Sequence, residues 1–268
     1  MSRSLPPHAR TSNNRKKLSQ NFLADTRTAD LMIRHSGIGA DDLVVEIGPG
    51  DGMLTRRLLG VAGQVLAYEL DRHYADRLRR RYADDRRIRC YHSDFRTVSA
   101  PREPFAVVAN IPFAGTTEIV RWCLSAGQLT SATLLVQAEF ARKHTGDYGR
   151  WTKLAITQWP TVALELGPRV DRTRFRPIPR VDAAILHLRS RPQPLLPAAS
   201  LPDYHRLVDL GFSGIGGSLA ASLSRARPAR IVRKACTSAG ISLDAPVGVV
   251  GPDQWLVLFT ELGRARHR

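Results

Sequence analysis

The stretch Leu43-Val44-Val45-Glu46-Ile47-Gly48-Pro49-Gly50-Asp51-Gly52 decides the fold. Its first half is a short apolar run with β-branched residues, the pattern of a buried strand. Its second half breaks that strand with glycine and proline, and the residues from about Met53 to Leu59 then read as a helix. Strand, glycine-rich turn and helix in that order open an α/β unit, and the ligands of such units bind beyond the carboxyl ends of the strands. Glycines at 48, 50 and 52 let the main chain pass close beneath a ligand, while the helix start offers free N–H groups. The spacing is not the G-x-G-x-x-G of dinucleotide sites, and no Lys-Ser/Thr pair follows as a triphosphate loop requires.

Working outward, Val65–Glu69, Ile88–Tyr91, Phe105–Ala109, Ala132–Val136, Val162–Leu166 and Ala183–Leu188 read as further strands, making seven. Thr28–Ile33, Arg72–Ala83 and Thr116–Ser125 read as helices, the second with Tyr74, Leu78 and Tyr82 on one face. Strands separated by helix-length segments imply right-handed crossovers and an open parallel sheet, so the fold class is α/β with a seven-stranded Rossmann-like sheet. The four prolines between Arg189 and Asp203 suggest a linker, and His205–Phe212, Leu219–Ser224, Ala229–Ala239 and Asp253–Glu261 suggest a small all-helical domain. The expected organisation is a basic tail over 1–18, a sheet domain over 19–190, a Pro-rich linker over 191–203, a helical domain over 204–262 and a basic tail over 263–268.

Composition narrows the partners. The 268 residues include 40 Lys+Arg against 24 Asp+Glu, for a formal charge of +16, and only five of the basic residues are Lys. The planar fork of Arg suits bidentate contacts with phosphate and stacking on bases, so a polyanionic partner is expected. The charge is clustered: residues 1–17 hold five basic and no acidic side chains, and residues 169–191 hold seven basic against two acidic. With 43% hydrophobic residues the chain can bury a core, which excludes wholesale disorder. No stretch approaches the roughly 18 apolar residues of a membrane helix, and no hydrophobic signal core follows Met1, so a cytoplasmic protein without membrane contact is expected. Cys90, Cys123 and Cys236 are far apart, with neither a disulfide framework nor a metal cluster in their spacing.

The chemistry-bearing residues follow the strands. Glu69 stands seventeen residues after Gly52, where a carboxylate can accept from both hydroxyls of a ribose. Asp94, in Ser93-Asp94-Phe95, can accept from the exocyclic amine of an adenine, although Asp in a turn is also a common cap. Together with the glycines they describe a pocket for an adenosine-bearing ligand. The fourth strand ends in Asn110-Ile111-Pro112-Phe113. Asn offers an amide oxygen to a substrate amine, Pro fixes a turn that can aim a main-chain carbonyl the same way, and Phe offers a face for a base.

These motifs, in this order, resemble the Erm and KsgA superfamily of S-adenosylmethionine-dependent ribosomal RNA adenine N6-methyltransferases. The resemblance covers about residues 18–190, through Ser19-Gln20-Asn21-Phe22-Leu23, the Glu46–Gly52 loop, Glu69-Leu70-Asp71, Asp94, Asn110–Phe113, Gln137–Ala141 and Phe175–Asp182. Asn-Ile-Pro-Phe and the Arg-rich tails, with Gln254-Trp255 near the end, resemble the Erm branch, where the other branch more often has Asn-Leu-Pro-Tyr. The resemblance implies that Gly48, Gly50 and Gly52 lie along the methionine part of the cofactor. It implies that Glu69 holds the ribose, that Leu70 packs on the cofactor adenine, that Asp94 binds its amine, and that Asn21 and Leu23 close over it. Asn110 and the main chain of Ile111 would hold the target amine, Phe113 would stack on the target ring, and Phe175 would be the opposite wall. Phe113 stands where Tyr is commoner, which keeps the stacking face and loses a hydroxyl.

The expected reaction is methylation of an adenine in the peptidyl-transferase loop of 23S ribosomal RNA, with resistance to macrolide, lincosamide and streptogramin B drugs as its consequence. A monomer and no metal are expected. Arg172, Arg174, Arg176 and Arg180, and Arg225, Arg227, Arg230 and Arg233 in the helical domain, are the candidate phosphate contacts. The competing readings are a KsgA-like dimethylation of small-subunit RNA and a non-catalytic RNA-binding assembly factor. The latter predicts a damaged glycine loop or Asn-x-Pro-aromatic motif, and both are intact.

Overall fold

The computed structural model describes residues 21–264. The tail over 1–18, Ser19 and Gln20 of the N-terminal motif, and residues 265–268 lie outside the described residues. The chain opens with β1 (Phe22–Leu23) and α1 (Thr26–Ser36). Helix α1 starts where the Asp25 side chain accepts the Thr28 amide at 2.9 Å and stops at Gly37, whose φ of 68° ends a helix without strain. Strand β2 (Leu43–Ile47) is buried along its whole length, as a central parallel strand must be, and leads into α2 (Met53–Leu58).

There follow β3 (Gln64–Glu69), α3 (Arg72–Arg81), β4 (Ile88–His92), β5 (Phe105–Asn110), α4 (Thr116–Ser125), β6 (Leu129–Gln137), α5 (Ala138–His144), α6 (Lys153–Gln158), β7 (Val162–Val170), β8 (Phe175–Arg176) and β9 (Ala183–Ser190). Seven strands form one sheet in the order β4-β3-β2-β5-β6-β9-β7. Strands β4, β3, β2, β5 and β6 are mutually parallel, while β9 runs antiparallel to β6, with Ala132 opposite Leu188 and Leu135 opposite Ile185. The sheet is therefore mixed, and the expectation of an all-parallel sheet is corrected. The 12 residues that lead from β7 into β9 hold a 3₁₀ turn and the two-residue β8 in place of the crossover helix that joins parallel neighbours.

Strands β1 and β8 make a separate antiparallel ribbon, with Phe22 opposite Arg176 and Leu23 opposite Phe175. The ribbon joins the N-terminal motif to the Phe175–Asp182 motif, 153 positions later by the Phe22–Phe175 count. Its base is apolar: Leu23 and Phe175 enter a core cluster that includes Met32, Val44, Leu54, Val65 and Ile185.

The chain divides into two compact units, the first running to Ala141 and resuming over Glu165–Arg189, the second comprising Arg142–Leu164 and the chain from Ser190 on. Residues 142–164 thus belong with the helices, where the sequence reading placed them in a 19–190 sheet domain. The helical unit adds α7 (Leu201–Gly211), α8 (Leu219–Leu223), α9 (Ala229–Ser238) and α10 (Pro252–Arg264). Its core is built on Trp255 and Tyr204, with the Tyr204 hydroxyl donating to the Ile156 carbonyl of α6 at 3.0 Å. Gly211 is required there, because a Cβ at this position would lie 2.4 Å from the Trp255 ring. The Pro-rich segment is no free spacer either. The amides of Arg191 and Leu195 donate to the carbonyls of Thr161 and Pro160 at 2.8 Å each, and Leu201–Asp203 already lies in α7. No helix among the described residues is long and apolar enough to cross a membrane.

Candidate active site

A cavity of about 300 Å³ opens beyond the carboxyl ends of β2, β3 and β5, lined among others by Gly48, Glu69, Leu70, Asp94, Asn110, Ile111 and Pro112. Small-molecule sites span roughly 300–1,000 Å³. A wider cleft of about 1230 Å³ shares Asn21, Phe22 and Ala114 with this cavity and adds Phe113, Arg77, Gln137, Arg176 and Arg180. The two spaces meet at the Asn110–Phe113 turn, with Asn110, Ile111 and Pro112 on the cavity and Phe113 on the cleft.

The glycine loop is held by a carboxylate. Glu69 is 2% exposed, its Oε2 accepting the Gly50 amide and its Oε1 the Asp71 amide, each at 2.8 Å. Burial pushes the Glu69 carboxyl above the usual range, and the two amide donors pull against that shift. Gly48, Gly50 and Gly52 adopt φ of 69°, 56° and 85°, the left-handed region in which side chains are strained. Gly50 has a second constraint: a Cβ there would meet the Phe22 ring at 2.5 Å. Phe22 therefore lies directly on the loop. Of the three glycines Gly48 lines the cavity, whereas Gly50 and Gly52 shape the loop behind it. Beneath the loop Glu46 is fully buried, with its Oε2 lacking a hydrogen-bond partner, and burial pushes this carboxyl up to about 8. Burial without a partner at that oxygen thus favours the neutral carboxyl.

Asp94 caps the 3₁₀ turn over Phe95–Thr97 by accepting the Arg96 amide at 3.0 Å, and it also pairs with the Arg96 guanidinium at 2.5 Å. Hydrogen bonding to that guanidinium holds the Asp94 carboxyl below the usual range. Leu70, at 45% exposure, offers an apolar surface to the same cavity. Asn110 ends β5, and its Nδ2 donates to the Asn21 carbonyl at 2.8 Å. With the amide nitrogen engaged, Oδ1 remains as an acceptor for a ligand.

One residue is placed differently from the sequence expectation. Phe175 is 0% exposed and meets Phe113 edge-on at a centroid distance of 6.4 Å. It is a support behind Phe113, not the opposite wall of a base pocket, because its strand pairing turns it into the core. Leu23, 6% exposed, is rooted in the core cluster and also lines the cleft beside Asn21 and Phe22. Its neighbour Phe22 presents its ring to Gly50 of the loop.

The basic residues also separate. Arg176 and Arg180 line the cleft, together with Arg77, which sequence reasoning did not single out. Arg174 pairs with Asp25 at 2.9 Å, and the Arg172 guanidinium donates to the Arg180 carbonyl at 3.2 Å; neither lines the cleft. Arg225, Arg227, Arg230 and Arg233 stand in the helical unit, on or just before α9, and none is in an ion pair among the described residues. Val232, Ala235 and Cys236 of that helix are buried while Arg230, Arg233, Lys234 and Thr237 are exposed, so α9 presents a basic face.

Comparison with known proteins bears on this site. The family described as ribosomal RNA adenine dimethylase matches residues 11–264. The chain belongs to that family. Relatives of the adenine dimethylase family include an rRNA adenine N-6-methyltransferase of Aeromicrobium erythreum, 49% identical over 94% of this chain and 74% of its own length. The mycinamicin-resistance protein MyrB of Micromonospora griseorubida is 38% identical over 81% of this chain and 69% of its own. Among solved structures, that of the 23S rRNA methyltransferase ErmE superposes with a TM-score of 0.87 at 44% identity, covering 91% of this chain and all of that one (100%). Membership of this family and the methyltransferase fold imply an S-adenosylmethionine-dependent reaction.

Proposed function

We propose that this protein transfers a methyl group from S-adenosylmethionine to N6 of an adenine in the peptidyl-transferase loop of 23S ribosomal RNA, and so confers resistance to macrolide, lincosamide and streptogramin B drugs. The observation that carries this reading is the acceptor Oδ1 of Asn110, left available by the bond from Nδ2 to Asn21, at the junction of a small acid-lined cavity and a basic, aromatic-lined cleft. The likeness to relatives named for 23S rRNA methylation and for mycinamicin resistance supports the choice of RNA and its consequence.

The donor set of the cavity fits the cofactor. Glu69 retains lone pairs beyond the two given to Gly50 and Asp71, so it can accept from ribose hydroxyls. Leu70 offers the apolar face for an adenine ring, and Asp94, sharing its charge with Arg96, accepts from the ring's amine. Gly48 leaves room for the main chain to approach the methionine part. When bound there, S-adenosylmethionine supplies a methyl group activated by a positively charged sulfur.

The protein's task is then to present a poor nucleophile correctly. The lone pair of an exocyclic adenine amine is delocalised into the ring. Accepting one amine hydrogen at Asn110 Oδ1 and the other at the main-chain carbonyl of Ile111 favours a pyramidal nitrogen with its lone pair directed at the methyl carbon. Well-held geometry of this kind can be worth about 7–11 kcal/mol. Phe113, braced edge-on by Phe175, receives the face of the extruded base and offsets part of the roughly few kcal/mol that unstacking costs. Arg77, Arg176 and Arg180 grip phosphates beside the cleft, and the basic face of α9 supplies further backbone contacts.

Incubation with methyl-labelled S-adenosylmethionine and purified ribosomal RNAs tests the assignment. Label is expected in large-subunit RNA. Label confined to small-subunit RNA rejects this choice in favour of a KsgA-like activity, and label in neither supports a non-catalytic RNA binder.

A further inference from the structure

Between the two cleft-lining arginines of the Phe175–Asp182 motif stands a side chain that neither the core nor the cleft uses. Ile178 is 54% exposed, more than any other large apolar side chain among the described residues. Its immediate neighbours Pro177 and Pro179 line the cleft, as do Arg176 and Arg180 one position further out, whereas Ile178 does not. A solitary surface isoleucine needs no explanation. This one is different in its setting, because the Arg-Pro-Ile-Pro-Arg sequence fixes both its rigidity and its flanks. A proline on each side restricts the backbone, and the pairing of Arg176 with Phe22 ties the segment to the β1–β8 ribbon. Neither Arg176 nor Arg180 is in an ion pair among the described residues; Arg176 Nη1 donates to the Thr173 and Phe175 carbonyls, and with no carboxylate beside either guanidinium both charges can still meet phosphates.

We infer that Ile178 is a wedge that enters the RNA stack at the place vacated by the target adenine, while Arg176 and Arg180 hold the phosphates on either side. The inference rests on the proposed methylation of a stacked adenine, which must leave its neighbours to reach the Asn110–Phe113 turn. The gap it leaves would otherwise invite the base back. Apolar side chains carried on rigid, basic segments fill such gaps in other nucleic-acid complexes, where they hold base steps apart. The placement of Ile178 outside the cleft suits this role, since the wedge must remain in the stack while the base lies in the cleft. Ile178 is thus a positioning residue that acts on the equilibrium between stacked and extruded adenine.

The test uses the full-length enzyme and a 23S RNA segment carrying 2-aminopurine at the methylated position, whose emission rises on unstacking. The wild-type enzyme is expected to raise that emission, and Ile178→Ala to lose most of the rise. On the unmodified segment kcat/KM should fall about tenfold, the scale of one lost stacking contact. RNA affinity should stay within about threefold, because the arginines supply it, and KM for S-adenosylmethionine should not move. Ile178→Leu should restore both emission and rate. On a segment whose target adenine is already freed by an abasic neighbour, the Ala variant and the wild type should act alike. Wild-type emission and rate from Ile178→Ala would overturn the wedge. A wild-type enzyme that leaves the unmodified segment unmethylated would instead overturn the functional reading, and the wedge with it.

Discussion

Asn110→Ala is expected to reduce methyl transfer by about a hundred- to a thousandfold, the scale seen when a single preorganised polar group aimed at the reacting atoms is lost. The physical reason lies in how the residue is held. Its Nδ2 donates to the Asn21 carbonyl at 2.8 Å, so the amide plane is fixed before any substrate arrives and Oδ1 needs no reorganisation to meet the adenine amine. Truncation removes that acceptor and leaves the amine held on one side only, with its lone pair free to return to the ring. Binding of RNA should change by no more than several-fold, since the proposed backbone contacts lie at Arg176, Arg180 and other surface groups. Asn110→Asp is a useful companion: it keeps an acceptor but loses the donor to Asn21, and it should fall between the wild type and the Ala variant. Single-turnover methyl transfer alongside filter binding of the same RNA measures both quantities. Unchanged turnover in Asn110→Ala would remove the residue from its role.

The second large effect is expected at Glu69. Its two carboxylate oxygens accept the amides of Gly50 and Asp71 at 2.8 Å, and the group is 2% exposed. Glu69→Ala orphans both donors, each at a cost of about 1–3 kcal/mol when buried. The loss also releases a loop whose Gly50 is held at φ 56° beneath the Phe22 ring. Affinity for S-adenosylmethionine should therefore drop at least about a hundredfold, the combined effect of a lost ribose acceptor and a loosened loop. Glu69→Gln retains one acceptor oxygen and should weaken binding less, by about tenfold. Calorimetric titration of the cofactor, with thermal melts to follow the loop's contribution to stability, checks the ordering. Equal affinity in Glu69→Ala and the wild type would show that the carboxylate serves the loop alone.

The features legible in the sequence are those whose cause is local. Strand β2 and the glycine turn were readable because a buried central strand is apolar throughout and because its glycines take left-handed φ values. Helix α4 over Thr116–Ser125 and the ends of β3 and β5 were legible for the same reason, which placed Glu69 and Asn110 at strand termini. What was not legible depends on partners far along the chain. The β1–β8 ribbon consists of two strands of two residues each, too short to carry a periodicity, and only their pairing defines them. That pairing buries Phe175, which as a residue type suited a base-stacking wall equally well. Phe22 carries no signal of its own between Asn21 and Leu23, since the closeness of its ring to Gly50 depends on the fold. Helices α5 and α6, at seven and six residues, are too short for an apolar period to be counted, whereas the equally short α2 and α8 are announced by the glycine turns that precede them. Membership of residues 142–164 in the helical unit depends on what they pack against, as the Tyr204–Ile156 bond illustrates.

The proposed reaction makes the exocyclic amine of an adenine, gripped through its hydrogens, the nucleophile. Digestion of RNA labelled by the enzyme, followed by chromatographic and mass-spectrometric identification of the modified nucleoside, tests it most directly. All label should appear as adenosine methylated on N6, singly or doubly. Label at a ring nitrogen, at a ring carbon or on a ribose hydroxyl would contradict it, because none of those atoms is the one that Asn110 and Ile111 are placed to hold.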